Sequence, residues 1–388
     1  MKKFLDCISI VGATPSKFHG TKKYVSTGAV ATTEIDESEV VEVTYEDRPS
    51  RANLSADAGD ILFAKMQGTR KTLLLDSETE KNIYSTGFYA VRANPEVITT
   101  ECLYYLIDSE LFLAQKDKNC SGATQKAITN GGMAKIEISV PALSEQGILV
   151  DKLKHLTQLI ADKKKQLNLF DEIIKSRFIE MFGDPNSNEK EWTVSTLGEY
   201  MTLLTDFSAN GSYELLDSNV VMYDEPNYAV MVRTTDLEAG NLTDGVKYID
   251  QTAYELLSKS KLYGGELIMN KIGSAGKIYI MPQIDKPASL GRNAFMFRFD
   301  DRINMFYLYA LLSSDYGIKE IQQYVRGAVT KTITKESTRS IRVIVPPIEL
   351  QEQFAAFVEQ TDKSKFEIQQ SLEKLEILKK SLMQQYFG

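Results

Sequence analysis

The sequence contains few of the residues that bind metals or form disulfides. It has three cysteines and two histidines in 388 residues, and they are scattered: Cys7, Cys102, Cys120, His19 and His155. A zinc site or a disulfide framework needs such residues at short, regular spacings. We therefore expect neither, and we infer a reducing compartment.

Long apolar runs are also missing. No stretch approaches the roughly 20 apolar residues that span a bilayer, and Met1-Lys2-Lys3 is not followed by the apolar core of a secretory signal. Hydrophobic residues still make up 43% of the chain, which is ample for two domains with their own cores. The sequence therefore predicts a soluble, cytoplasmic protein with no membrane partner.

Recognisable catalytic motifs are missing as well. There is no Gly-x-Ser-x-Gly or His-Glu-x-x-His segment, and two isolated histidines argue against a catalytic triad. The only Pro-Pro, Pro346-Pro347, lacks the neighbours of an adenine-methyltransferase pocket. The loop Gly273-Ser-Ala-Gly-Lys277 is too short for a Walker motif and has no Ser or Thr after its lysine. We predict a protein without catalysis or a cofactor of its own.

The chain does contain a repeat of itself. Segment 121–129 (SGATQKAIT) returns as segment 326–334 (RGAVTKTIT), and Phe182-Gly183 returns as Phe387-Gly388, both 205 residues later. Near the start the offset is smaller, because Phe4–Val11 matches Leu197–Leu204 at 193 residues. The second copy therefore holds about 12 extra residues, which we place between Tyr213 and Asn227. Two copies imply two similar sites.

Each copy is predicted to begin with a mixed domain. Apolar runs between Gly- and Asn-containing turns predict strands at 60–64, 89–91, 266–269, 278–280 and 294–297. Residues 103–106 and 307–312 predict short helices packed on the sheet. The predicted fold class is α+β.

A long helix is predicted to follow each mixed domain. From Leu149 to Met181, and again from Phe354 to Tyr386, the seam residues are spaced alternately by four and three, which is typical of a coiled coil. Charged residues interrupt the two seams at complementary positions, as expected of helices that must choose one partner. Gly183 and Pro185 mark a helix end. We predict an antiparallel pair with the two domains at opposite ends; two separate amphipathic helices are the alternative.

Positive charge is concentrated in two stretches, although the net charge is −8. Segments 264–298 and 326–342 each carry five basic residues against at most two acidic ones. Binding to DNA phosphates would require such a local concentration. A chance cluster on a solvated surface is the alternative.

The repeated Gly-Ala-x-x-Lys-x-Ile-Thr segment has two compatible interpretations. Glycine lets a backbone approach a ligand closely, and the Thr, Gln and Lys side chains offer hydrogen bonds and charge to DNA. Alternatively, the segment is a turn into a strand that is kept because Ile128 and Ile333 are buried.

Together these motifs resemble the specificity subunit of type I restriction–modification systems. The resemblance covers nearly the whole chain and depends on the order of the motifs: Gly-Ala-x-x-Lys-x-Ile, then Val-Pro-(Ala/Pro)-(Leu/Ile)-x-x-Gln entering a long helix, then Phe-Gly at its end, all twice. It implies target recognition domains at 1–143 and 184–348, with spacer helices at 144–183 and 349–388.

The resemblance also implies a function. Each recognition domain of such a subunit reads one half of an asymmetric, two-part site in double-stranded DNA, and the helices set the unread gap. The subunit is not catalytic; it recruits two methylation subunits and two restriction subunits. S-adenosylmethionine, ATP and Mg would then belong to those partners. A coiled-coil adaptor that binds only protein, and a standalone restriction or modification enzyme, are the alternatives.

We predict that basic and Gln or Thr side chains of both domains contact DNA. In the first domain these are Lys65, Arg70, Lys71, Arg92, Thr124, Gln125 and Lys126. In the second they are Lys271, Lys277, Arg292, Arg298, Arg326, Thr330 and Lys331. Lys65 and Lys271 follow equivalent predicted strands, and Arg92 matches Arg298. The exposed faces of both helices are predicted to bind the methylation subunits.

Overall fold

The computed structural model describes all 388 residues. The chain divides into two compact units, of which the first combines residues 1–166 with 368–388 and the second is continuous from 167 to 367. Each unit holds one mixed domain and parts of both long helices.

The first domain is built from short strands and three short helices. The strands are β1 (Lys2–Lys3), β2 (Ile8–Val11), β3 (Lys22–Val25), β4 (Val41–Val43), β5 (Ala52–Leu54), β6 (Ile61–Ala64), β7 (Thr72–Leu74), β8 (Ile83–Ser85), β9 (Phe88–Ala93) and β10 (Glu137–Ile138). The helices are α1 (Thr100–Ile107), α2 (Glu110–Lys118) and α3 (Asn130–Met133), and the long helix α4 (Leu143–Phe182) follows them.

The second domain repeats these elements and adds more helix. Its strands are β11 (Thr193–Thr196), β12 (Met201–Asp206), β13 (Ala229–Val232), β14 (Lys247–Ile249), β15 (Lys261–Leu262), β16 (Leu267–Asn270), β17 (Ile278–Ile280), β18 (Ala288–Leu290), β19 (Ala294–Phe299) and β20 (Arg342–Val345). Its helices are α5 (Tyr213–Asn219), α6 (Thr234–Ala239), α7 (Gln251–Leu256), α8 (Met305–Ser313), α9 (Asp315–Gln322) and α10 (Lys335–Arg339), and the long helix α11 (Ile348–Phe387) follows them.

Both domains have the same sheet topology. One antiparallel sheet has the order β2-β9-β6-β7 in the first domain and β12-β19-β16-β17 in the second. A second sheet has the orders β4-β3-β8-β5 and β14-β13-β18-β15, and its central pairs, β3 with β8 and β13 with β18, are parallel. The α+β class and the internal repeat are therefore confirmed.

The extra residues of the second domain lie where the sequence places them. The connection from β12 to β13 covers residues 207–228, whereas the connection from β2 to β3 covers residues 12–21. The difference is 12 residues, and helix α5 occupies part of the longer connection.

Strand β6 lies inside its sheet, and both of its faces are buried. Ile61 and Phe63 belong to a core shared with the helices, while Leu62 and Ala64 belong to a second core between the two sheets. A strand buried on both faces needs an uninterrupted apolar run. This strand could therefore be predicted from the sequence.

A buried glutamine fixes the start of each long helix to its domain. Gln146 accepts a hydrogen bond of 2.7 Å from the backbone N–H of Thr99, and Gln351 accepts one of 2.8 Å from that of Asn304. Each glutamine also donates to the carbonyl of the proline five residues before it. Both side chains are fully buried, so the repeated Pro-x-x-x-x-Gln spacing has a structural cause.

The two long helices run antiparallel. In the second unit, Asp171 forms an ion pair with Lys365 at 2.7 Å. Further along α4, the Arg177 guanidinium lies 5.7 Å from the centre of the Phe357 ring. The residue number therefore rises on α4 as it falls on α11. The antiparallel coiled coil predicted from the heptads is confirmed.

The buried face differs from the predicted seam at the end of each helix. On α4 the structure buries Phe178 and Phe182, one residue beyond the predicted Arg177 and Met181. On α11 it buries Met383 and Phe387 in the core of the first domain, one residue beyond the predicted Leu382 and Tyr386. The terminal turns pack against a domain as well as a helix, and the domain decides which face is buried.

Helix α4 ends as predicted. Gly183 follows it with a φ of +77°, in the left-handed region where glycine carries no side-chain penalty. None of the helices has a stretch apolar and long enough to cross a lipid bilayer.

Candidate nucleic-acid interface

The repeated segment forms the same closed loop in both domains. The backbones of Ser121 and Ala127 exchange two hydrogen bonds of 2.9 and 3.0 Å. Those of Arg326 and Thr332 exchange two of 2.9 and 2.7 Å. Each loop is therefore closed across its base in the same register.

The glycine of the repeat is needed to close the loop. Gly122 has a φ of +136° and Gly327 a φ of +103°, values that residues with a side chain rarely adopt. A Cβ on Gly122 would lie 2.4 Å from the carbonyl oxygen of Gln125, and one on Gly327 would lie 2.1 Å from that of Thr330. The close backbone approach that glycine permits is thus an approach to the loop itself.

The far arm of each loop is anchored beside the residue that follows β6 or β16. The N–H of Ile128 donates to the carbonyl of Lys65 at 2.9 Å, and that of Ile333 donates to Lys271 at 3.1 Å. The two isoleucine side chains are only 2% and 4% exposed. The packing interpretation of the repeat is therefore correct, and it leaves the loop tip free for other contacts.

The tip of each loop points into solvent. Thr124, Gln125 and Lys126 are exposed in the first domain, as are Thr330 and Lys331 in the second. Val329, which directly precedes Thr330, is 98% exposed. Exposed cationic and hydrogen-bonding side chains on a closed loop are suited to phosphate oxygens and base edges.

Beside the first loop lies a lysine without a carboxylate partner. The Lys65 ammonium donates to the carbonyl of Thr86 at 2.8 Å and lies 4.4 Å from the centre of the Tyr89 ring. The Tyr89 hydroxyl in turn donates to Asn130 at 2.7 Å. Burial lowers the pKa of Lys65, because a desolvated ammonium ion is less stable than a solvated one.

Beside the second loop, two lysines share one carboxylate. Lys271 and Lys335 lie 2.8 and 2.7 Å from different oxygens of Asp206. Burial acts to raise the pKa of Asp206, but the two ammonium groups outweigh it and hold that pKa below its usual value. Neither Asp206 nor Lys335 was among the predicted site residues; Lys335 stands 205 residues after Asn130, and that offset could have pointed to it.

Three predicted arginines are paired with carboxylates of their own domain. Arg70 binds Asp108 through two nitrogens, at 3.1 and 2.9 Å. Arg92 lies 2.6 Å from Asp60, and its counterpart Arg298 lies 3.0 Å from Glu266. The hydrogen bonds that Arg70 donates to Asp108, and Arg92 to Asp60, raise the pKa of the two arginines. Each of these arginines therefore brings to the surface a charge that is already partly neutralised.

The remaining predicted residues are also held by neighbours. Lys71 donates to the carbonyl of Thr27, and Arg326 donates to that of Val325 at 3.1 Å. Lys277 pairs with Glu238, which raises the pKa of that lysine.

Arg292 is the last of the predicted residues. It binds Asp217 at 3.2 Å and borders a cleft of about 320 Å³.

A buried lysine shapes the turn after β6. Lys116, on α2, is 2% exposed and donates to the carbonyls of Met66 at 2.7 Å and Thr69 at 2.9 Å. Its desolvation lowers its pKa. Sequence reasoning missed this residue, because a lysine in an amphipathic helix is usually exposed.

Comparison with known protein families gives a match to nearly the whole chain. The family described as type I restriction modification DNA specificity domain matches residues 10–169 and again residues 189–379. The two matches correspond to the two copies of the repeat.

Named relatives match over most of their length. The MjaIX specificity subunit of a type I restriction enzyme from Methanocaldococcus jannaschii is 22% identical over 70% of this chain and 68% of its own. The MjaVIII specificity subunit of the same organism is 22% identical over 78% of this chain and 73% of its own.

Two solved structures share the fold. One chain comes from a study of complex assembly and conformational transition in the type I R-M system; its TM-score is 0.54 at 18% identity, over 98% of this chain and 97% of that one. The other is the S subunit of a type I restriction–modification system from M. genitalium, with a TM-score of 0.54 at 13% identity, over 99% and 94%.

Proposed function

Because this chain belongs to the type I restriction–modification DNA specificity family, we propose that each of its two domains reads one half of a two-part DNA site. In this proposal the loops 121–129 and 326–334, with the lysine clusters beside them, face the DNA. The exposed lysines contact phosphates, and the Thr and Gln side chains contact sugars and base edges. The observation that carries the proposal is the duplication of one exposed, cationic loop in equivalent positions.

Two readers in one chain bind more tightly than either alone. Once the first domain is bound, the second half-site binds as an intramolecular event at a high effective concentration. That gain is lost when the distance between half-sites does not match the distance between domains. The gap between half-sites thereby becomes part of the specificity, and we assign its setting to α4 and α11.

The helices are proposed to recruit the methylation subunits as well. Both carry exposed apolar side chains; they are Ile148, Leu169, Ile173, Ile179, Phe366, Ile377 and Leu378. Where such side chains form a contiguous patch, the patch is suited to binding another protein. In the proposed complex this chain is the non-catalytic subunit, and two methylation and two restriction subunits supply the chemistry. The target adenine must leave the base stack to react, and the pocket that receives it belongs to a methylation subunit.

The test is to co-express the chain with its methylation subunit and to map N6-methyladenine across the host genome. We expect a two-part motif with a constant gap and one methylated adenine in each half. A stable complex that methylates no motif would contradict the proposal and favour a protein-only adaptor.

A variant with a different spacing tests the helices separately. The variant has two deletions of seven residues each, one in α4 and one in the part of α11 that pairs with it. Removing a whole heptad from both helices preserves the heptad register. The expected motif keeps both half-sites and has a shorter gap. An unchanged gap would mean that the helices do not set it.

A further inference from the structure

In the first domain, a tyrosine holds one amide side chain beside the repeated loop. Asn130 is the first residue of α3, directly after the loop 121–129, and it is exposed. Its Oδ1 accepts a hydrogen bond of 2.7 Å from the Tyr89 hydroxyl. The Tyr89 ring lies 5.7 Å from that of Phe63, and the Lys65 ammonium lies 4.4 Å from its centre. The amide is therefore tied to the sheet through an anchored hydroxyl.

The amino group of this amide has no partner within the chain. An asparagine side chain has one carbonyl oxygen with two lone pairs and one amino group with two N–H donors. The bond from Tyr89 occupies one lone pair of the oxygen, and it is the only hydrogen bond of the Asn130 side chain. Both N–H donors of Nδ2, on an exposed residue, are therefore free to meet a ligand.

The second domain has neither member of this pair. Tyr89 and Phe295 occupy equivalent positions in the register of β6 with β9 and of β16 with β19, and phenylalanine has no hydroxyl with which to hold an amide. Lys335, the first residue of α10, takes the place of Asn130. An uncharged hydrogen-bonding group therefore stands in the first domain where the second domain has a cation.

A neutral amide beside the proposed DNA-binding loop is better suited to a base than to a phosphate. Positive charge attracts phosphates from any direction, whereas an amide contributes only through the direction of its hydrogen bonds. The Tyr89 hydroxyl restrains that direction by holding Oδ1 of Asn130. A contact to phosphates would suit both domains equally, but a contact that discriminates between bases is expected to differ between them.

From this geometry we infer that Asn130 sets the base preference at one position of the half-site that the first domain reads, by donating from Nδ2 to an acceptor on a base edge in the major groove. The inference deepens the proposed function and rests on it. Adenine, guanine and thymine each present an acceptor at this edge, whereas cytosine presents only its amino donor. The contact therefore excludes cytosine at that position, and Tyr89 is the positioning residue that orients the amide.

The first experiment maps methylation by the Asn130→Asp variant in complex with the methylation subunit. Aspartate has the shape of asparagine and still accepts the hydrogen bond from Tyr89, but it places an oxygen where Nδ2 stands. A carboxylate accepts from the amino group of cytosine, so cytosine should appear at one position of one half-site while the other half-site and the gap stay the same. The added negative charge weakens binding at every site alike, and the composition of the motif is therefore the readout.

Asn94→Asp is the matched control. Asn94 follows β9 at the end away from Tyr89, and its Oδ1 accepts a hydrogen bond of 3.2 Å from the backbone N–H of Glu96. In the second domain an aspartate, Asp300, accepts the equivalent bond from Arg302 at 3.0 Å. An aspartate therefore fits this place, and we expect the motif of this variant to match that of wild type.

The second experiment compares the dissociation constants of two duplexes, the mapped motif and the same sequence with cytosine at the position that changes. The wild-type complex should bind the first duplex roughly tenfold more tightly. Asn130→Ala should abolish this preference, and Tyr89→Phe, which installs the residue of the second domain, should reduce it without changing the preferred base. If the bond between the two side chains only supported the fold, both variants would lose stability in urea while the tenfold preference remained, and the inference would be overturned.

The outcomes separate this inference from the function it rests on. A wild-type complex that methylates a two-part motif, combined with an Asn130→Asp variant of identical motif, would overturn the role of Asn130 and leave the function intact. Weaker binding of both duplexes by Asn130→Ala, with the preference between them unchanged, would make Asn130 a phosphate contact and also overturn it. A wild-type complex that methylates no motif would remove the function itself.

Discussion

The same place beside the repeated loop is built from different side chains in the two domains. The first domain has Lys65, Tyr89 and Asn130, and the second has Lys271, Phe295 and Lys335 together with Asp206. The second cluster has one more cation, but it also has one carboxylate. Each of the two clusters therefore has a net charge of +1.

This difference shows which property the two domains share. The positive charge beside the loop is the same, while the groups that donate and accept hydrogen bonds are not. Charge attracts phosphates regardless of sequence, whereas hydrogen-bonding groups discriminate between bases. Two domains that hold DNA alike but read different half-sites would be expected to differ in this way.

The largest expected effect comes from giving the first domain a residue of the second. Lys116 on α2 corresponds to Ile321 on α9, 205 residues later. The Lys116→Ile substitution would leave the carbonyls of Met66 and Thr69 without their buried donor. We expect a loss of about 3 kcal/mol in the free energy of unfolding, measured by equilibrium denaturation in urea.

The control for this substitution is Ile321→Val, which removes one buried methylene and should cost about 1 kcal/mol. Equal costs for the two variants would mean that Lys116 contributes no more than ordinary packing.

The next effect should be alike in both domains. The Gly122→Ala and Gly327→Ala substitutions each force a Cβ against a carbonyl oxygen of the loop, at a positive φ. We expect each to cost about 2 kcal/mol and to reduce DNA binding, as measured by urea denaturation and a DNA titration. Gly131→Ala is the control, because the nearest atom to its Cβ is 3.9 Å away. A costly Gly122→Ala with a harmless Gly327→Ala would break the equivalence of the loops.

A smaller effect comes from removing the carboxylate that only the second domain has. The Asp206→Asn substitution leaves Lys271 and Lys335 without a counter-charge, so we expect tighter DNA binding at low salt. The plot of log affinity against log salt concentration should steepen by about 0.9. A salt dependence unchanged from wild type would show that the cluster does not face the DNA.

The same substitution changes the response of stability to acid. The pKa of Asp206 is lower in the folded protein than its ordinary value, so the unfolded chain binds the proton more readily. The stabilisation is complete above about pH 4 and is lost as the pH falls through the folded-state pKa. Urea denaturation from pH 6 down to pH 3 should show a smaller loss of stability for Asp206→Asn than for wild type.

The smallest effect is expected at the loop tips. Lys126→Ala and Lys331→Ala each remove one exposed charge, and each should reduce the salt dependence of DNA binding by about one phosphate contact while assembly with the methylation subunit is unchanged. Lys81→Ala is the control, because Lys81 is also exposed but precedes β8 at the end away from Thr86. Unchanged affinity of both loop variants at low salt would show that the tips do not touch DNA.

Much of the fold could be predicted because its signals are local. The strand 61–64 is an unbroken apolar run, α4 ends at Gly183, and the repeat locates the 12 extra residues. The sheet that contains β3 and β8 was not predicted. Its short strands mix polar or charged residues with apolar ones. Its central pair is parallel and joins residues about 60 apart in sequence.

The candidate site was predictable only in part, for a related reason. Basic residues such as Lys271 and Arg298 could be found from their matched positions in the two copies. Their carboxylate partners could not, since Asp206 meets Lys335 across 129 residues of sequence. A sequence shows where charge is placed, but the neutralisation of that charge depends on the folded chain.

The division of the first unit between two separate segments has a consequence for synthesis. Met383 and Phe387 complete the same core as Phe4, while residues 167–367 form a unit of their own. At about 5–20 residues per second, a ribosome needs roughly 10–40 s to make the 200 or so residues between the two segments. During that time part of the core of the first domain stays uncovered, because Met383 and Phe387 have not yet been made. The second domain can therefore finish folding before the first.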